Sequence, residues 1–260
     1  MQNYKRFFTA GILMILFVAL VMVAAGQANA REDGGGTANA LPQNSTLGEP
    51  GVFLTGPNDG EPLTIALDYI RENADALELS SDDLADLVVT DQYTSQHNGV
   101  THIYLRQRVN GLELFGSSLN INIARDGSII NVGNRTVAGA AELVNGASPS
   151  LTAEEAVSAA ANHLGLTISE PLVVQESLSR VDRKITFSDG GISLEAIPVR
   201  LVYQPTARQG LRLSWDLSIY ELSADNWWSV RIDAETGDLL SQDNWVVHED
   251  FRRKRPKRAF

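Results

Sequence analysis

Residues 100–132 read VTHIYLRQRVNGLELFGSSLNINIARDGSIINV. Apolar side chains recur at Ile103, Leu105 and Val109, the two-residue period of a half-buried strand. Asn110-Gly111 follows, a pair suited to a two-residue hairpin turn because both positions tolerate a positive φ. From Leu112 to about Ala124 the alternation returns, with Leu119, Ile121 and Ile123 set against Asn120 and Asn122. Asp126-Gly127 predicts the next turn and Ser128–Val132 a third strand. Together these predict an antiparallel meander with one buried face.

Upstream, a helical pattern opens at Pro62 or Leu63, with Ile65, Leu67, Tyr69 and Ile70 on one face. Ser80 is placed as the N-cap of a short helix over Asp82–Leu87, whose first turn holds two acids. Downstream, residues 138–150 are small and polar, which suits a domain boundary. Thr152 and Glu155 then form a capping box. Ala156, Val157, Ala160, Ala161 and Leu164 make an apolar helix stripe that Gly165 ends. Strands are expected at roughly 172–180, 197–204, 211–220, 226–233 and 239–246. The class is α+β, two small domains that each pack an antiparallel sheet with one or two helices.

The charge is unevenly spread. The chain carries 21 Lys+Arg and 32 Asp+Glu, a formal net of −11. Residues 31–251 hold 13 basic residues against all 32 acids, a net of −19. Such a body is no generic nucleic-acid binder, because phosphate binding needs a basic face. Hydrophobic residues make up 43% of the chain, enough for a packed core. There is no cysteine, which excludes disulfides, thiolate metal sites and a cysteine nucleophile.

Lys5-Arg6 precedes an apolar run from Phe7 to Ala25, and Ala28-Asn29-Ala30 supplies a small-x-small exit. This pattern predicts a secretory signal peptide over residues 1–30, cleaved ahead of Arg31, and hence a secreted protein. The length of the run also suits an uncleaved anchor, the one route by which this chain would meet a membrane. Residues 31–61, rich in Gly, Pro, Asn and Ser, read as a flexible linker. Sequons stand at Asn44-Ser45-Thr46 and Asn134-Arg135-Thr136.

Catalytic chemistry finds no foothold in these residues. A zinc hydrolase helix needs His-Glu-x-x-His, and the nearest string, His248-Glu249-Asp250-Phe251-Arg252, replaces the second His with Arg252. His97, His102 and His163 have no ligand spacing, and His163 suits a helix C-terminus. No Gly-x-Ser-x-Gly elbow or phosphate loop occurs. The Asp-Gly pairs that begin at Asp33, Asp59, Asp126 and Asp189 read as turns. No catalytic residue, metal site or cofactor is expected, and the chain is not read as an enzyme. Trp227-Trp228 on a strand points its rings to opposite faces, so either the pair serves the fold's core alone or one ring fills the core and the other suits a protein interface. The basic tail, 248–260, offers Lys257-Arg258 as a processing site, since Pro256 hinders a cut after Arg255.

Residues 92–134 resemble the fungalysin/thermolysin propeptide domain. The likeness rests on Tyr104-Leu105-Arg106-Gln107, on Val109-Asn110-Gly111, on Leu114-Phe115 and on the closing Asp126-Gly127. The second unit resembles a PepSY domain through Leu213-Ser214-Trp215-Asp216-Leu217, Asn226-Trp227-Trp228 and Val230-Arg231-Ile232-Asp233-Ala234-Glu235-Thr236-Gly237. Gln107, Asn110, Gly111, Trp215, Trp227, Trp228, Asp233 and Gly237 are thus family-motif positions. The resemblance implies a propeptide meander over 62–137 and a PepSY, cystatin-like unit over 150–247. It also implies a proregion that inhibits a zinc metalloprotease catalytic domain and helps it fold as an intramolecular chaperone. The catalytic domain itself is missing from the sequence, as in a truncated zymogen fragment or an inhibitor acting in trans. The alternative is a membrane-anchored extracellular binding module with no inhibitory role. Intact-mass analysis of the exported protein separates the two: a mature start at Arg31 is expected, and retention of residues 7–25 would instead support the anchor.

Overall fold

The computed structural model describes Pro42, residues 44–178 and residues 180–247. Ala28, Ala30, His248, Lys257 and Arg258 lie outside these described residues, as does the Phe7–Ala25 run. All the described residues fall in one compact unit. In chain order its elements are β1 (Ser45–Leu47), α1 (Pro62–Glu72), α2 (Ser81–Ala85), β2 (Val88–Thr94), β3 (Thr101–Arg106), β4 (Arg108–Val109), β5 (Leu112–Glu113), β6 (Ser118–Ile123) and β7 (Ile129–Arg135). There follow a 3-10 turn at Ala140–Glu142, α3 (Ala153–Leu164), β8 (Val174–Ser177), β9 (Ile185–Phe187), β10 (Ile197–Pro205), β11 (Leu211–Tyr220), β12 (Trp227–Asp233) and β13 (Leu239–Asn244).

Two antiparallel sheets result, in the order β1-β7-β6-β3-β2 and β13-β12-β11-β10-β9-β8. The predicted α+β class holds. In the first core, Ile65, Ala66 and Ile70 of α1 pack with Ile103, Leu105, Leu119, Ile121 and Ile123. The alternation read from residues 100–123 places these strand side chains inward. In the second core, the alanine stripe of α3 lies with Val199, Leu201, Trp215, Leu217, Val230 and Ile232. Small helix side chains leave room for Trp215, whose indole Nε1 donates to Leu151 O at 3.0 Å. The capping box of α3 forms as read, with Thr152 N donating to Glu155 Oε2 at 2.8 Å and Glu155 N to Thr152 Oγ1 at 3.2 Å.

The meander departs from its sequence reading at Gln107. Strand β3 stops at Arg106 and pairs directly with β6. The expected continuous return strand from Leu112 does not form. Between the two strands, β4 and β5 leave the sheet as a separate two-stranded hairpin. Asn110 and Gly111 form its turn at φ 53° and 76°, the conformation that a two-residue loop demands. Val109, Leu112 and Leu114 consequently bury in the second core, not beside Ile103 and Leu105. Phe115 N donates to Tyr203 O at 2.8 Å, so the arm borrows the edge that β9 leaves free on β10.

Gln107 is fully buried at the root of this arm. Its amide Nε2 donates to Asp83 Oδ1 at 2.8 Å and to Val137 O at 2.7 Å, while its Oε1 accepts from Val137 N at 2.8 Å. Asp83, the third residue of α2, is buried as well. Its carboxylate accepts from Ser80 N at 3.0 Å, Ser80 Oγ at 2.8 Å, Gly139 N at 3.0 Å and Ala140 N at 3.2 Å. One carboxylate and one amide thereby tie together α2, the arm and the segment leading out of β7. The sequence reading of Asp82-Asp83 as a helix-start pair accounts for the cap but not for this burial.

Three further corrections follow from tertiary pairing. Residues 44–61, read as linker, include β1 on β7 and a hydrogen bond from Asn58 N to Asp126 O at 2.9 Å. Gly127 is obligatory there, since a Cβ would come 1.8 Å from Asn58 O. Two unanticipated strands, β2 and β9, complete the sheets, β2 as an exposed edge and β9 as a three-residue piece. The Asn134 sequon is buried: Asn134 Nδ2 donates to Leu77 O at 2.9 Å, and its Oδ1 accepts from Thr136 N at 2.9 Å. A glycan on that amide is incompatible with the packing, whereas Asn44 is exposed.

Asp233 and Gly237 shape the β12–β13 turn. Asp233 Oδ1 accepts from Glu235 N at 2.9 Å and Thr236 N at 3.1 Å, and Arg212 Nε donates to its Oδ2 at 2.7 Å. Gly237 sits at φ 80°, and its carbonyl accepts from the His163 ring Nε2 at 3.2 Å. Burial pushes the Asp233 carboxyl up, but Arg212 and the turn N–H groups outweigh it and hold it below the ordinary 3.8. A depressed folded value stabilises above the unfolded one and is lost as pH falls through the folded one. Asp233→Asn is therefore expected to flatten the acid limb of melting temperature against pH below 3.8. An unchanged limb would exclude this role. Asp83→Ala strands several buried donors and is expected to cost about 3 kcal/mol in urea unfolding with an unchanged slope.

Candidate functional site

The second sheet buries one face against α3 and turns the other outward. Strand alternation puts Arg200 of β10, Asp216 and Ser218 of β11, and Trp227, Ser229 and Arg231 of β12 on the outer face. Register sets Asp216 opposite Arg231, Ser218 opposite Ser229 and Tyr220 opposite Trp227. Two small serines thus lie between rows of large side chains, and a groove of about 490 Å³ opens over them. The arm supplies Glu113 and Phe115 to its lining, while Trp245 lines it from the segment after β13.

Arg231 is fully buried although cationic. Its Nε donates to Ser241 Oγ at 2.7 Å, and its other guanidinium nitrogens donate to Ser229 Oγ and Asp243 Oδ2. The Phe115 ring covers it, 4.0 Å from the guanidinium carbon to the ring centroid. Such a desolvated cation–π contact is worth about 2 kcal/mol. Phe115 thereby fastens the arm to the outer face and closes one side of the groove.

Arg200 links arm and sheet, with Nη1 on Glu113 Oε2 at 3.1 Å and Nε on Asp216 Oδ2 at 3.3 Å. Burial works against its charge, but Glu113 and Asp216 outweigh burial and raise its pKa. Burial also pushes the Asp216 carboxyl up, and Arg200 and Arg231 offset only part of that. Arg106 Nη1 reaches Glu113 Oε2 at 3.5 Å. Arg180 Nε stands 3.7 Å from Asp182 Oδ1, which has no hydrogen-bond donor. Lys184 makes no ion pair among the described residues.

An aromatic cluster borders the groove. Trp227 stacks on Tyr220 with centroids 4.9 Å apart, and Trp245 meets Trp227 edge-on at 5.4 Å. Trp228 faces the second core and donates from Nε1 to Glu221 Oε1 at 2.6 Å. Of the family-motif positions, Trp227 alone adjoins the groove, through Trp245, while Arg106, Phe115, Asp216 and Leu217 from the quoted motif strings line it directly. Gln107, Asn110 and Gly111 build the arm that reaches it. Trp215, Trp228, Asp233 and Gly237 serve the second core and its turn. Arg106 and Asp216 stand in strings quoted for the family resemblance, but Glu113, Arg180, Asp182, Lys184 and Arg200 belong to none, and the groove's charged residues come from five separate strands and loops.

Among the described residues, no three His, Asp or Glu side chains converge on a common point as metal ligands. His102 instead joins Asn122 Oδ1 at 2.6 Å and Ser95 Oγ at 3.0 Å on the outer face of the first sheet. No helix among them is long and apolar enough to cross a membrane.

Residues 85–136 match the Fungalysin/Thermolysin Propeptide Motif. The chain is 30% identical over 180 residues to Extracellular metalloproteinase 1 of Phaeosphaeria nodorum, covering 66% of this chain and 27% of that protein. It is 30% identical over 162 residues to Extracellular metalloproteinase MEP of Leptosphaeria maculans, covering 59% and 24%. With Extracellular metalloproteinase mep of Aspergillus terreus the identity is 27% over 175 residues, covering 66% and 27%. The match thus spans about a quarter of the length of these relatives. Among solved structures, the Bacillus megaterium YpeB C-terminal domain aligns with a TM-score of 0.33 and 12% identity over 75% of this chain and 69% of that one. The matched span, Ala85 to Thr136, begins at the end of α2 and runs through β2 to β7, so it takes in Gln107 and the whole arm. Over residues 85–136 the chain therefore resembles the propeptide motif of the fungalysin and thermolysin metalloproteases.

Proposed function

We propose that this chain is a secreted proregion module that inhibits a zinc metalloprotease catalytic domain of the fungalysin/thermolysin class and assists its folding. The observation that carries the reading is the propeptide motif over 85–136, which builds the arm joining both sheets. The relatives that share this sequence are extracellular metalloproteinases, which supports secretion and a protease partner. The partner acts in cis within a longer precursor or meets the chain in trans. The processing site at Lys257-Arg258 and the export signal ending at Ala28-Asn29-Ala30 belong to the same proposal.

A rigid body suits this role physically. An inhibitor that is already ordered loses little conformational entropy on binding, so more of its contact energy appears as affinity. Strand β2 is an edge exposed along most of its length, from Val89 to Thr94. Such an edge offers unpaired N–H and C=O groups to a partner's extended segment. The strongly acidic surface also keeps the module soluble while a partner domain is still unfolded beside it.

The test is direct. The exported chain is mixed with a thermolysin-type protease, and peptide hydrolysis is followed with and without it. Inhibition at micromolar concentration and a higher yield of active protease on refolding are expected. The absence of both effects would defeat the proposal.

A further inference from the structure

Acids dominate this chain, yet four of the 13 basic residues in 31–251 line the groove on the second sheet: Arg106, Arg180, Lys184 and Arg200. Depth sorts the charges by sign. The acids Glu113, Asp182 and Asp216 are recessed, with side-chain exposures of 26%, 19% and 16%. Arg106 and Arg180 reach outward, at 39% and 68%. The recessed acids Glu113 and Asp216 are engaged by Arg200, and Lys184 has no acidic partner among the described residues. A ligand arriving from solvent therefore meets positive charge first, with less screening from water in the concave site than on an open surface. Phe115 and Trp245 add apolar faces to the same lining.

We propose that this groove docks an acidic, extended segment of a partner polypeptide, with carboxylates at the cationic rim and an apolar side chain against Phe115 and Trp245. Other occupants fit less well. The chain's own tail, Arg252 to Arg258, carries six basic residues and is repelled by the rim. Nucleic acids and anionic membranes present many charges over a wide surface and would face the body's net of −19. A single short acidic segment meets only the groove. The identity of the partner as a protease domain rests on the proregion reading; the chemistry of the groove does not.

Trp245 provides the readout. The full exported chain is titrated with a blocked hexapeptide of alternating Glu and Leu, and with its Lys-for-Glu counterpart, while tryptophan emission is recorded. Saturable binding of the Glu peptide alone is expected, weakening as salt is raised. The double variant Arg180→Glu, Lys184→Glu is expected to lose affinity by about tenfold or more. Both positions are at the surface, so the variant should fold, and an unchanged melting temperature would verify it. Trp245→Phe should remove the emission change but leave binding detectable by calorimetry. Equal binding of both peptides, no binding of either, or an unaffected double variant would overturn the proposal. The protease assay separates the two readings. Peptide binding without inhibition by the wild type upholds the groove and removes the proregion reading. Inhibition that the double variant retains in full, with no peptide binding, removes the groove and leaves the proregion reading standing.

Discussion

Asp83 and Gln107 form the buried polar junction on which the architecture depends. A carboxylate taken out of water must have its lone pairs met by donors, and here Ser80, Gln107, Gly139 and Ala140 supply them. Those donors come from three parts of the chain that are otherwise far apart in sequence. Turning Gln107 outward would take one donor from Asp83 and leave Val137 N and O without their amide partner, which favours β3 ending at Arg106 and the hairpin leaving the sheet. The hairpin then places Val109, Leu112 and Leu114 in the second core. The two sheets are thereby joined by apolar burial as well as by hydrogen bonds.

The same arm creates the groove. Glu113 meets Arg200, and Phe115 covers Arg231, only because the hairpin has been directed across the edge of β10. A buried guanidinium with a single, largely exposed carboxylate partner is a costly arrangement by itself. The serine hydroxyls and the Phe115 ring offset that cost, which makes the position of the arm part of the sheet's own stability. The propeptide motif and the second sheet are physically one system, although their residues lie in separate blocks of the sequence.

Much of the fold was legible from local chemistry. Thr152 and Glu155 marked the start of α3, Ser80 that of α2, and Asn110-Gly111 a hairpin turn; each acts over only a few residues. The strands from Ile197 onward were legible because their alternation is long and one face is buried. The linker reading over 44–61 failed because β1 is held by pairing with β7 and by the close approach of Asn58 to Gly127, neither of which leaves a periodic trace. Strands β2 and β9 were missed for a related reason: an exposed edge and a three-residue strand bury too little to pattern their sequence. The groove itself was not legible: Arg180, Lys184 and Arg200 are unremarkable singly, and the string holding Arg106 says nothing of where its side chain meets theirs.

The sequence by itself determined the α+β class, the caps and turns, the uneven charge and the resemblance to a propeptide. The class, caps, turns and charge follow from backbone preference, side-chain periodicity and composition, which are local or additive properties, while the resemblance rests on particular strings such as Tyr104–Gln107. The tertiary structure alone decided that Gln107 faces inward, that the hairpin serves the second core, and that recessed acids lie beneath outward cations. Those outcomes depend on which donor reaches which buried acceptor and on how deep each charge lies. Both are relations between residues distant in the chain, and only close packing brings such residues together.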